Sequence, residues 1–156
     1  MSEKLERSKD ILDGLLGFKV FDVKLGHGSF ITMDFGMPIE VQVETSKGSR
    51  VFVRGEWHLW VYMCAWRIDR GGCPLVGSED SREKISQKII ELMNKKIVSY
   101  NIDNKSLDAD FCFEDDVVLH LFPTNTEEDE HWMIYTPDFN VLTAGPKSDW
   151  RYEPYT

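Results

Sequence analysis

Apolar residues recur along this chain with two periods. Over residues 3–16, Leu5, Ile11, Leu12, Leu15 and Leu16 fall near helical spacing between acidic and basic residues, and Gly17 is placed to end a helix. Beyond it the period drops to two. "FKVFDVKLGHGSFITMDFG" reads as two strands joined at Gly26-His27-Gly28, where glycines permit a tight hairpin. "IEVQVET" at 39–45 is expected to turn Ile39, Val41 and Val43 inward, and "SKGS" leads into the long run "RVFVRGEWHLWVYMCAWRI", with Gly55 as a candidate bulge. "DRGGCPLVG" reads as a loop.

Helical spacing returns in "SEDSREKISQKIIELMNKK" at 78–96, with a helix predicted near 81–94. Ser78 or Asp80 is a candidate cap, Glu83 follows Asp80 by three, and Ile85, Ile89, Leu92 and Met93 form the apolar stripe. Strands are predicted near 97–102, 107–113, 117–122, 131–136 and 149–152. Runs of strands with two interposed helices predict one α+β domain over 1–156. Its antiparallel sheet would hold about seven to nine strands, open to strong curvature, curled around or packed against two helices.

The run at 55–69, "GEWHLWVYMCAWRID", carries three of the five tryptophans. Strand alternation puts Trp57, Leu59, Val61, Met63 and Ala65 on one side, a plain core face. The other side carries Glu56, His58, Trp60, Tyr62, Cys64 and Trp66, a mixed aromatic and polar strip. A helix resting across Trp60, Tyr62 and Trp66 is the expected cover, with Glu56 and His58 at its margin. The competing expectation is a pocket floored by Glu56, His58, Trp60 and Tyr62, in a small-molecule-binding or enzymatic barrel. A homodimer closing over the strip is a third.

Charge narrows the partners. With 27 Asp and Glu against 18 Lys and Arg, a formal charge of -9 disfavours nucleic acid and anionic membrane surfaces and favours a basic protein partner. The alternation of "LDADFCFEDDVVLHLF" buries one face and leaves Asp108, Asp110 and Glu114 on the other. Asp115 and Asp116 complete the adjoining turn, and Glu127, Glu128, Asp129 and Glu130 form a second acidic loop. These carboxylates are expected to converge at one end of the sheet.

Candidate chemistry is sparse. Cys64, Cys73 and Cys112 lack zinc or redox spacing, so free thiols in a reducing, cytoplasmic setting are expected; no signal sequence or membrane-spanning run is read. His27, His58, His120 and His131 form neither HxH nor HExxH, and no metal site or cofactor is predicted, although His120 and His131 fall on neighbouring predicted strands. Cys64 or Cys112 beside His58 or His120 is a conceivable nucleophile and base, set against the commoner role of a strand cysteine as a small hydrophobe. Neither "LGHGSF" nor the glycine-rich loop matches a phosphate-binding signature.

"GEWHLWVYMCAWRI", "LVGSEDSREKI" and "LFPTNTEEDEHWMIYTPD" together resemble, over roughly residues 15–152, small bacterial proteins similar to immunity proteins of toxin systems. That resemblance implies a non-enzymatic protein that binds and blocks a cognate toxin. The resulting expectation is occlusion of a basic partner, with Trp60, Trp66 and Trp150 as hot spots and carboxylates at 114–116 and 127–130 steering approach.

Overall fold

A computed structural model gives the structure of the chain and describes residues 3–155. The chain runs α1 (Glu3–Asp13), β1 (Val20–Leu25), β2 (Ile31–Thr45), β3 (Gly48–Val61), β4 (Cys64–Arg70), β5 (Cys73–Gly77) and α2 (Arg82–Lys88), which continues as a 3-10 turn over Ile89–Leu92. There follow β6 (Ile97–Ile102), β7 (Ala109–Phe113), β8 (Val117–Pro123), β9 (Trp132–Tyr135), β10 (Asn140–Ala144) and β11 (Trp150–Pro154).

The architecture is α+β, but the single sheet expected is two. Among the described residues eleven strands form a six-stranded sheet, β1-β2-β3-β9-β10-β11, and a five-stranded sheet, β5-β4-β8-β7-β6, both antiparallel and neither closed. Aromatic rings from both sheets fill the space between them. Phe35 on β2 stacks on Phe113 of β7 at 6.3 Å, and Phe111 of β7 meets Trp132 of β9 edge-on at 5.5 Å. Both contacts bury ring faces that either sheet alone would leave wet.

The strand count exceeds the expectation for two local reasons. "GGCPLVG" contains β5, which pairs with β4 through an irregular register after a turn at Gly71 and Gly72. The apolar stretch of β10, preceded by Asp138 and Phe139, is too short to show a period. The second helix is also shorter and starts differently: Ser81 caps it, accepting the Lys84 N–H, while the Asp80 carboxylate takes the Gly77 N–H at 2.8 Å.

The helices lie at the flanks of the two sheets. α1 buries Leu5 and Leu12, packs on β11, and is tied to β6 by the Tyr100 hydroxyl, which donates to Asp13 at 2.7 Å. α2 rests on β5 and β1. Neither serves as the cover expected over the aromatic strip, where Trp60 of β3 and Tyr62 just beyond it lean instead on Phe30 and on each other.

The long strip itself is divided. β3 ends at Val61, the chain crosses from one sheet to the other at Tyr62 and Met63, and β4 begins at Cys64. Because the core lies between the sheets, the inward face changes parity at that crossing. Trp57, Leu59 and Val61 point inward from β3, whereas Cys64, Trp66 and Ile68 do so from β4. Trp60 and Trp66, on one side of a continuous strand, thus end in opposite environments.

Candidate functional site

β2 and β3 run well past the body of their sheet. β1 pairs with β2 only up to Phe35, and β9 pairs with β3 only from His58, so residues 38–55 form a two-stranded arm. A register shift between Phe35 and Pro38 marks where the arm leaves the body. Two glycines make the irregularity feasible: Gly36 has φ +79°, and a Cβ on Gly55 would lie 2.7 Å from the backbone of Phe35 and Trp57.

At this junction the outer face of the six-stranded sheet carries a groove of about 380 Å³. Val41, Val43 and Phe52 of the arm form one wall. The floor is Arg54, His58 and Trp60 of β3, and Tyr135 of β9 with Tyr155 beyond β11 forms the other wall. The lining is mostly apolar, with a few polar groups converging on it, as in sites for small ligands.

Beneath the floor lies a carboxylate and imidazole pair. Asp34 is directly opposite His58 in the β2–β3 register, and its buried Oδ1 lies 2.6 Å from Nδ1 of His58 and accepts the Gly55 N–H at 2.8 Å. Burial alone would raise the Asp34 pKa; the hydrogen bonds from His58 and Gly55, with the charges of His58 and Lys24, outweigh it and hold the carboxyl below its ordinary value. An ionised Asp34 needs a donor at Nδ1. The neutral imidazole therefore carries its proton there and leaves Nε2 as the acceptor.

Rings complete the site. Tyr135 meets His58 edge-on at 5.6 Å and Tyr155 at 4.9 Å. The Arg54 guanidinium lies 5.2 Å from the centre of the Tyr155 ring and 5.9 Å from those of Tyr135 and Phe139. Burial, and to a lesser degree Tyr155, push the Tyr135 phenol upward, against the opposing charge of Arg54. Tyr135 is thus held neutral.

Comparison with family models, curated proteins and solved structures yields no match.

His58 and Trp60 are the two residues from the sequence-based pocket that line the groove. Glu56 turns aside to take the Met37 N–H at 3.3 Å, and Tyr62 borders a separate depression with Phe30 and Met63. Among the described residues neither sheet closes into a barrel. Of the expected tryptophan hot spots, Trp60 is accessible, but Trp66 and Trp150, at 2% and 4% exposure, are core residues that a partner on the surface cannot touch.

The carboxylates do not gather at one end. Ala109 of β7 pairs with Leu121 of β8 and Phe113 with Val117, so Asp108 and the 124–131 loop lie at one end of these strands and Glu114–Asp116 at the other. Several are also engaged: Glu114 takes the Lys96 N–H, Asp115 pairs with Lys95, and Glu130 with Arg151. Asp110 and Asp69 hold His120 between them, and Arg67 grips Asp69 through two nitrogens. Asp116, Glu127 and Glu128 are exposed, and Asp129 is half-buried, its backbone N–H donating to Asn125. The expected single acidic surface is therefore two separate and partly neutralised ones.

The suggested nucleophile pairs also fail to form. Cys64 donates to the Ala65 carbonyl, and burial pushes its thiol up to about 12. His120 has both ring nitrogens on carboxylates, while His131 is buried beneath Gly145. Among the described residues no group of three or more His, Cys, Asp or Glu side chains is arranged so that it could hold a metal ion. No helix of the described residues is long and apolar enough to cross a membrane.

Sequence reasoning missed Asp34, Arg54, Tyr135 and Tyr155. Asp34 occupies an ordinary outward position in the alternation of Ile31, Met33 and Phe35, so nothing in the pattern marks it. Arg54 had a usable signal, since it precedes Glu56, His58 and Trp60 on the same side of the strand by a clean period of two.

Proposed function

We propose that this protein is a binding protein for a small organic molecule, held in the groove between the β2–β3 arm and Tyr135. The observation that carries this reading is the convergence of Trp60, Tyr135 and Phe52 with Arg54 and the Asp34-oriented His58 around about 380 Å³ of accessible space. Aromatic walls supply dispersion and apolar burial, and the few polar groups fix orientation. The test is a thermal-shift screen of small aromatic compounds, neutral and charged, on the native chain and on Trp60→Ala. Ligands should raise the melting temperature of the native chain through preferential binding to the folded state and lose that effect in the variant. A screen without hits, or hits that survive Trp60→Ala and Tyr135→Ala, would overturn the reading.

A second reading, a protein-binding module such as an immunity protein, is favoured by the arm rather than by the acids. Met37 at its root and Val51 and Val53 along it are 67%, 61% and 56% exposed, and both strands of the arm pair only with each other over residues 38–55. Free strand edges with apolar side chains suit the addition of a partner strand. Binding to a basic toxin domain that persists in Trp60→Ala but is lost in Val51→Lys would support it. Arm variants without effect on such binding would remove it.

A further inference from the structure

One group in the groove would have no counterpart in a purely apolar ligand. Arg54 is 4% exposed. Its Nη1 donates to the carbonyls of Gly55 at 2.7 Å and Glu56 at 3.2 Å, and its Nη2 to the Thr136 carbonyl at 3.4 Å and to the Tyr155 hydroxyl. Every acceptor is neutral. Among the described residues the buried Nε has no hydrogen-bond partner and no ion pair includes this guanidinium.

A buried cation with neutral acceptors and aromatic faces around it is solvated but not neutralised. Asp34, the carboxylate built into the site, is committed to His58 and to the Gly55 N–H. The guanidinium also has an uneven perimeter. Its Nη1 edge is satisfied by strand carbonyls, whereas the Nε and Nη2 edge, the side-on fork that matches a carboxylate, meets a long carbonyl contact and a phenol. That phenol belongs to Tyr155, past the end of β11, where the backbone is tied to Phe139 at 3.4 Å.

We propose that the groove selects a small aromatic carboxylate. The carboxylate displaces the Tyr155 hydroxyl and bridges Nε and Nη2 of Arg54, and the ring system lies along Tyr135 toward Trp60. Carboxylate is favoured over phosphate because this edge of the guanidinium offers two donors, a match for two oxygens, whereas phosphate sites assemble more. The groove volume suits a free molecule. This inference rests on the groove being a small-molecule site and adds the charge of the ligand.

The experiment is titration calorimetry of the native chain with 2-naphthoate and with 2-naphthamide, its neutral isostere. Naphthoate is expected to bind at least about tenfold more tightly, a difference of about 1.4 kcal/mol. Arg54→Lys, which keeps the charge and removes the fork, should erase most of that preference, read as a fall in the acid-to-amide affinity ratio. Equal affinity for acid and amide would overturn the inference and leave the groove reading standing. Failure of both up to about 5 mM would overturn it too, and the neutral members of the thermal-shift screen would then judge the groove separately. Should Arg54→Lys not fold, the acid-to-amide ratio on the native chain still decides.

Discussion

Asp34 and His58 face each other across β2 and β3, and the 2.6 Å contact between Oδ1 and Nδ1 joins the bulge of the arm to the floor of the groove, because the same oxygen takes the Gly55 N–H. Asp34→Asn should cost about 1.5–3 kcal/mol, the range for a buried hydrogen bond to a charged group. The pH dependence has a definite sign. A carboxyl held below its ordinary 3.8 contributes its full stability above that pH and loses it as the pH falls toward the folded value. Urea unfolding of the native chain and of Asp34→Asn, compared between pH 6 and pH 3, should therefore show a difference that narrows on acidification.

How much of this was legible beforehand depends on whether a feature is local. The hairpin at 26–30 and the turn Glu114–Asp116 carry their own signals, glycines and aspartates that tolerate positive φ at 115 and 116. The helix at 82–88 was legible from its apolar stripe and not from its cap, which is Ser81 rather than Ser78 or Asp80. The division of the strip at Tyr62 and Met63 was not legible. A strand that stays in one sheet and a strand that crosses to a second have the same alternation until the crossing, and only the location of the core distinguishes them. The acidic residues misled for a related reason. Asp108 and Glu114 share a strand pattern, but the five-residue length of β7 sets them at opposite ends.

The two environments created by that crossing predict opposite mutational costs. Trp66 lies in the core, with its indole N–H donating to the Ser29 carbonyl at 2.7 Å, so Trp66→Ala should cost about 3–5 kcal/mol. Trp60 packs on Phe30 and Tyr62 at the surface, and Trp60→Ala should cost about 1 kcal/mol while abolishing ligand effects on the melting temperature. Chemical denaturation of the two variants side by side measures the contrast.

Thiol reactivity should separate Cys73 from Cys64. Cys73 is exposed, whereas Cys64 is buried with its thiol raised to about 12, chiefly by desolvation, so little thiolate exists near neutrality. An aromatic disulfide reagent at pH 8 should modify Cys73 at once and Cys64 only at the rate of unfolding. Cys73→Ser should remove the rapid phase.

His131 predicts a second pH effect at milder acidity. Burial lowers its pKa from the ordinary 6.5, against a weaker upward pull from Asp108, and its Nδ1 has no hydrogen-bond partner. The unfolded chain therefore takes up a proton near 6.5 that the folded chain resists. Stability is full above that pH and declines as the pH falls from 6.5 toward the folded value. The decline should be visible between pH 7 and pH 5, above the range in which Asp34 titrates, and His131→Gln should flatten it.

The strongest test of the arm junction is a single methyl group. A Cβ on Gly55 would sit 2.7 Å from the amide nitrogen and carbonyl oxygen of Phe35 and from the carbonyl oxygen of Trp57, all of them backbone atoms in paired strands. None can retreat without opening the ladder beside the bulge and pulling the Gly55 N–H from Asp34. At Gly36 the added methyl meets the end of the Glu56 side chain, which can swing away, so the cost there is mainly that of holding alanine at φ +79°, about 1–2 kcal/mol. Gly55→Ala should exceed it, at about 3 kcal/mol or more, since overpacking against fixed backbone belongs to the most damaging class of substitution. Denaturation midpoints ranked in that order would establish that the junction is set by backbone contact at Gly55, and a Gly55→Ala variant as stable as Gly36→Ala would show that the arm can leave the sheet without it.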